Sequence, residues 1–218
     1  MRTIKVTGKG QIKLRPDVTR ITVTLEGRDA DYGEVLRRSS EETDRLKELF
    51  AGFGFAGSDL KTLSFNVDTE YEGYQEENVW KQRFIGYRYD HVLKVEFDSD
   101  NDRLGHILYA LANSLLKPEF RISYTVKDPE AAKNELLGRA VADAAAKAKA
   151  LTAAAGVNLK EIQSIDYSWG EISFETHPVN RMMAAKAMGA AEEGSYDMNI
   201  EPDDIELSDT ITVVWEID

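Results

Sequence analysis

Few residues in this chain stand at a spacing that does chemistry. Gly52-Phe53-Gly54-Phe55-Ala56-Gly57 matches the G-x-G-x-x-G pattern that cradles a dinucleotide pyrophosphate. That chemistry needs the glycines to follow a strand and open a helix, so that phosphate meets the helix N-terminus. Here they close a helical segment and lead into a strand, which reads as a helix end and a loop. Asp98, Asp100 and Asp102 begin like a calcium loop. EF-hand spacing then asks for glycine at position 103 and glutamate at position 109, where the chain has Arg103 and Tyr109. The acids read instead as residues that a helix macrodipole favours at its N-terminus.

His91, His106 and His177 are scattered, and none forms a metal-type pair by local spacing. His91 shares the apolar parity of a long strand and reads as a buried, satisfied imidazole. No serine sits in a G-x-S-x-G elbow. Cysteine is absent, which removes thiolate nucleophiles, disulfides and cysteine zinc sites. Asp166, Glu171 and Glu175 are the carboxylates most readily imagined in one cleft, yet an acidic chain brings carboxylates together often. No catalytic, cofactor-binding or metal-binding residue is therefore assigned, and no cofactor is expected.

Two stretches point to contact rather than catalysis. Tyr71, Tyr74 and Trp80 crowd a polar hairpin, and tyrosine and tryptophan are enriched where proteins meet. Folding back over the sheet edge is the alternative. Met182, Met183 and Met188 belong to a run whose flexible thioethers adapt to irregular partners or fill gaps in their own subunit. These six residues are the candidate interface.

The 218 residues carry a formal net charge of −12, which disfavours polyanionic nucleic acid and anionic membrane surfaces. No apolar run reaches the roughly 18–20 residues of a spanning helix. The first residues enter a strand directly with no apolar leader, so the chain as numbered reads as cytoplasmic, with export as the alternative if a leader was removed.

Alternation marks strands at both ends: Ile4, Val6, Ile12, Leu14, Ile21, Val23 and Leu25 at the start, Ile205, Leu207, Ile211, Val213, Trp215 and Ile217 at the finish. A helix is predicted from Tyr32 to about Phe53, with Asp31 as N-cap and Glu34 as its capping-box partner. A strand through Leu63–Tyr71 follows, then a long one in which Ile85 to Phe97 share a parity. The long strand bends at Gly86 or projects as a hairpin arm. A helix from about Asp100 and a strand through Phe120–Val126 complete the order strand, helix, strand, strand, helix, strand over Arg20–Lys127. That is the ferredoxin-like α+β unit.

Asp128 and Pro129 open a third helix that Gly156 stops. Twelve alanines lie between Ala131 and Ala155, which suits close packing. Residues 1–128 and 129–218 are the expected divisions, possession of a single shared core being the alternative. From Glu171 to Asp209, ten acids face only Arg181 and Lys186, a stretch read as an insertion before the last strand.

Val6-Thr7-Gly8-Lys9-Gly10, and Arg15-Pro16-Asp17 leading into Thr22-Val23-Thr24, carry a family resemblance. Further support comes from the alanine-rich helix Ala140–Gly156, the run Asn180-Arg181-Met182-Met183-Ala184-Ala185, and Ile200-Glu201-Pro202 before the closing strand Thr210–Trp215. In this order they resemble the SIMPL domain family. That family has no established molecular function and includes oxidative-stress-associated and periplasmic immunogenic bacterial proteins. The resemblance implies an α+β fold, ring- or channel-like oligomers in some members, and no catalytic residues to carry over. The chain departs from the family in having Pro202-Asp203 where Pro-Gly is frequent, and in lacking a leader. The leading expectation is a non-enzymatic, self-assembling or protein-binding scaffold, on a homo-oligomer, with a stress-related role implied by the resemblance. The alternative is a small-molecule or cation binder, or an enzyme, using carboxylates near the 171–209 insertion. A chaperone-like or kinase-associated adaptor rests on the family analogy alone.

Overall fold

The computed structural model describes residues 2–167, 172–177, 195–196 and 200–218. Its elements run β1 (Arg2–Leu14), β2 (Val18–Asp29), α1 (Tyr32–Ala51), β3 (Lys61–Glu76), β4 (Val79–Asp98), α2 (Asn101–Asn113), β5 (Glu119–Thr125), α3 (Pro129–Ala155), β6 (Leu159–Asp166) and β7 (Ile205–Ile217). The fold is α+β, as expected. The chain forms two compact units, one of residues 1–17, 125–176 and 202–218, the other of residues 18–124 and 177–201. The division does not fall at residue 128. β1 leaves the strands that follow it because it pairs along its whole length, Arg2↔Ile217 to Leu14↔Ile205, with β7.

The first unit is a three-stranded antiparallel sheet, order β1-β7-β6, backed by α3. β7 is therefore central, and only β1 and β6 are edges. Ala140, Ala144 and Ala148, one turn apart, bury against Val6, Ile211, Val213 and Trp215. Opposite them β1 has Gly8 and Gly10. A Cβ on Gly8 would lie 2.1 Å from the Ala140 carbonyl oxygen, and one on Gly10 would lie 2.1 Å from that of Leu136. Helix and strand touch backbone to backbone, so the alanine run is consumed by packing within its own unit.

That approach brings three α3 side chains onto the open edge of β1. The Asp143 carboxylate accepts from the Lys9 N–H at 2.7 Å, Arg139 donates to the Gln11 carbonyl at 3.0 Å, and Lys147 donates to the Thr7 carbonyl at 3.3 Å. Spaced four residues apart, they line one face of the helix. Lys147 and the Lys9 amide hold the Asp143 carboxyl below its ordinary pKa. β7 has no open edge, and the middle of β1 has three of its outward groups capped.

The second unit has the order β3-β4-β2-β5, with β4 antiparallel to both β3 and β2. Ile21, Val23, Leu25, Tyr89, Leu93, Val95 and Phe97 bury one side of the sheet against Val35, Leu46 and Phe50 of α1 and Leu104, Ile107 and Leu111 of α2. Asp31 and Asp100 cap the helices, each accepting a backbone N–H three residues on at 3.0 Å. The expected capping box is half made: the Asp31 N–H goes to Asp29, while Glu34 takes Arg37. Gly52 closes α1, so the glycine pattern is a helix end. Asp128 caps α3, and Gly156 ends it in the left-handed region. β6 runs from Leu159 to Asp166.

The contact between α3 and β1 predicts opposite effects from two glycine substitutions. Gly8→Ala lowers stability by about 2–3 kcal/mol through backbone displacement. Gly138→Ala, at an exposed helical position with open space around its Cβ, raises it by about 1 kcal/mol. Urea unfolding of the two variants measures both.

Candidate functional site

β2 follows β4 only as far as Asp29↔Tyr87. Beyond that point β3 and β4 have only each other, from Tyr71↔Phe84 to Glu76↔Val79. Glu77 and Asn78 turn the chain with φ of 50° and 62°, the left-handed pair that a two-residue hairpin needs. The long strands thus project as an arm, one of the two expected outcomes.

Residues directly opposite in an antiparallel pair share a face. One face of the arm carries Tyr71, Gly73, Gln75, Trp80, Gln82 and Phe84, and no charge. The other carries Glu72, Tyr74, Glu76, Val79, Lys81 and Arg83. Its charges are matched: Arg83 to Glu72 at 2.5 Å and Lys81 to Glu76 at 2.6 Å, with the Arg83 guanidinium 5.9 Å from the Tyr74 ring centre.

A bulge at the base joins the uncharged face to the helix-bearing side of the sheet. The register shifts between Glu70 and Tyr71, and β4 spends Ile85 as the extra residue. Gly86 permits this with φ of 144°, and its Cβ would lie 2.4 Å from the Asp29 carbonyl oxygen. Phe84 and Tyr87 consequently meet edge to face at 5.1 Å. Tyr71 meets Phe84 at 5.9 Å, and Tyr87 meets Tyr32 at 5.2 Å. The ladder Tyr71–Phe84–Tyr87–Tyr32 leaves Trp80 76%, Tyr71 56% and Phe84 47% exposed. These rings do not fold back into the core.

Of the expected interface residues, Tyr71 and Trp80 lie together on this face. Tyr74 lies on the opposite, charged face. Met182, Met183 and Met188 fall outside the described residues. Phe84, Tyr87 and Tyr32 join the surface, though sequence reasoning passed over them. A common parity from Ile85 onward hid Phe84, because the bulge breaks that parity between Ile85 and Tyr87.

Several groups capable of acid–base chemistry are tied to partners within the fold. Tyr89, fully buried, donates its hydroxyl proton to Glu42; burial first, and that carboxylate second, push its pKa up. A surface cleft of about 320 Å³ holds Arg37, Arg38, Glu34, Glu41 and Glu42. Arg37 pairs with Glu34 and Glu41, and Arg38 with Glu42. Asp166 is exposed on β6, and Glu171 lies outside the described residues. Among the described residues no cluster of three or more histidine or acidic side chains is placed to hold a metal ion. No helix among them is long and apolar enough to cross a membrane.

His91 is buried and locked between α1 and β3. The Thr43 hydroxyl spends its one proton on the Ser39 carbonyl at 2.7 Å. It therefore accepts from His91 Nδ1–H at 3.0 Å. His91 Nε2 is then the acceptor for the Thr62 hydroxyl at 2.9 Å. The shift between Thr62 and Ser64 in β3 adjoins this contact, and Phe65 closes over the ring at 5.1 Å. Burial, reinforced by Lys47 and only partly offset by Asp90, lowers the His91 pKa.

The chain is similar to known proteins over most of its length. The family model SIMPL, described as protein of unknown function (DUF541), matches residues 4–215. The "26 kDa periplasmic immunogenic protein" of Brucella melitensis biotype 1 is 27% identical over 209 residues, covering 90% of this chain and 82% of the relative. The protein of the same description from Brucella abortus matches with the same identity and coverage.

Because the folded pKa of His91 lies below the unfolded value of 6.5, the unfolded chain binds the extra proton first as pH falls. The stability contributed by the neutral imidazole is complete above about pH 6.5 and is lost as pH falls from there to the folded pKa. Urea midpoints measured between pH 7.5 and pH 5 should fall in wild type, and this histidine component should vanish in His91→Gln.

Proposed function

Since the chain belongs to the SIMPL family, we propose that it is a non-enzymatic, self-associating interaction protein whose contact surface is the uncharged side of the β3–β4 arm. One observation carries this reading: a chain of net charge −12 presents a run of half-exposed aromatic rings with no charge among them. Copies of such a chain repel at long range. An uncharged patch is where they meet at least cost. The rings offer large contact area at low entropy cost, because tyrosine and tryptophan have few rotatable bonds.

Tyr71 and Trp80 act as the anchors, with Phe84 between the arm and the sheet. Tyr74 serves the solvated side. The methionines of the 171–209 stretch remain candidates for the same role. The Brucella relatives are described as periplasmic, which supports export of this chain over the cytoplasmic reading. A stress-related role rests on the family resemblance.

Size-exclusion chromatography with light scattering tests the proposal. The wild-type chain should run as an oligomer that dissociates on dilution. Trp80→Ser combined with Tyr71→Ser should raise the dissociation constant about 30-fold or more, the loss of one hot spot of about 2 kcal/mol. A wild-type chain that stays monomeric across a wide concentration range refutes it.

A further inference from the structure

The edges of the two sheets are treated very differently. The middle of β1 is capped at Thr7, Lys9 and Gln11 by Lys147, Asp143 and Arg139. β6 is interrupted by two register shifts in eight residues, which spoils a template for pairing. β5 has seven residues in all, both ends included. β3 has sixteen and, among the described residues, pairs with β4 alone. Its register shifts lie between Thr62 and Ser64 and between Glu70 and Tyr71, so Ser64–Glu70 is a regular seven-residue stretch with one edge open.

We propose that this stretch pairs with the same stretch of a second copy, antiparallel across a two-fold axis through Val67, joining two four-stranded sheets into one of eight. The proposal rests on the self-association read above. Only a register centred on a residue keeps the helix-bearing sides of both sheets together, because residues directly opposite share a face. Centring on Val67 uses all seven regular residues. It sets Ser64 against Glu70, Phe65 against Thr69, Asn66 against Asp68, and Val67 against itself. No acid meets an acid. Centring one residue later sets Asp68 on Asp68, and two later sets Asp68 on Glu70. Centring one residue earlier carries the pairing into the shift at Leu63.

Charge therefore permits the Val67 register and opposes those beyond it. Within its own sheet Glu70 is matched by Arg28 at 3.4 Å, and Asp68 lies opposite Arg88. The two halves are related by an isologous interface, which closes as a dimer. Phe65, 43% exposed at the margin of the helix layer, and Val67 then gain neighbours across the axis.

The native chain has no cysteine, so a single introduced thiol reports its own symmetry mate. Opposite residues in an antiparallel pair have Cα atoms about 4.5–5.5 Å apart, within disulfide reach. Val67→Cys is oxidised and run on a non-reducing gel beside Asn66→Cys. The expected result is a covalent dimer forming at least tenfold faster for Val67→Cys. Phe65→Cys with Thr69→Cys, which face each other twice across the axis, should also cross-link and serves if Val67→Cys misfolds by circular dichroism. If neither links while light scattering shows wild-type oligomers, the β3 pairing is overturned and self-association stands on another surface. If the wild-type chain is monomeric, both fall.

Discussion

The backbone contact between α3 and β1 organises the unit that holds it. Two glycines in β1 remove the side chains that would hold α3 off, and three alanines a turn apart remove those that would hold β1 off. The helix settles onto the strand until backbone meets backbone. At that separation the short carboxylate of Asp143 reaches an edge amide, and the longer Arg139 and Lys147 reach the flanking carbonyls. A wider gap would leave those polar groups to water or to another chain. Close packing and edge protection are thus one feature, built from residues that look unremarkable singly.

The other unit leaves the same problem open. Its helices cover the sheet over β2 and the inner half of β4, while β3 runs on past them. Where the sheet outruns its helices, the side that is core elsewhere becomes surface, and its aromatic residues come with it. The bulge at Ile85 and Gly86 keeps Phe84 on that side beside Tyr87. The arm's opposite side is treated as ordinary surface, with each charge answered across the strands. The asymmetry between the two sides separates a contact surface from a solvated one.

The element order, the helix ends at Asp31, Asp128 and Gly156, and the arm as one of two alternatives were legible in the sequence, because each rests on local rules of period and capping. The partnership of β1 with β7 was not. Alternation says that a strand has a buried face, not which strand lies beside it, and more than 200 residues separate Arg2 from Ile217. The capping of β1 was equally hidden, since Arg139, Asp143 and Lys147 read as an ordinary charged helix face. At the candidate surface, composition found Tyr71 and Trp80. Placing Tyr74 on the far face needed the register, and placing Phe84 on the near one needed the bulge.

The pairing of β1 with β7 also dictates an order of assembly during synthesis. Val18–Tyr124 is continuous, so its strands and helices can collapse as they leave the ribosome. The first thirteen-residue strand has no such option. It is made well before its partner, with the entropy of a very long loop to be overcome before any of its ladder forms. Until Trp215 and its neighbours emerge, Val6 and Ile12 lack much of the surface they finally bury against, and the nascent chain carries an unpaired apolar strand.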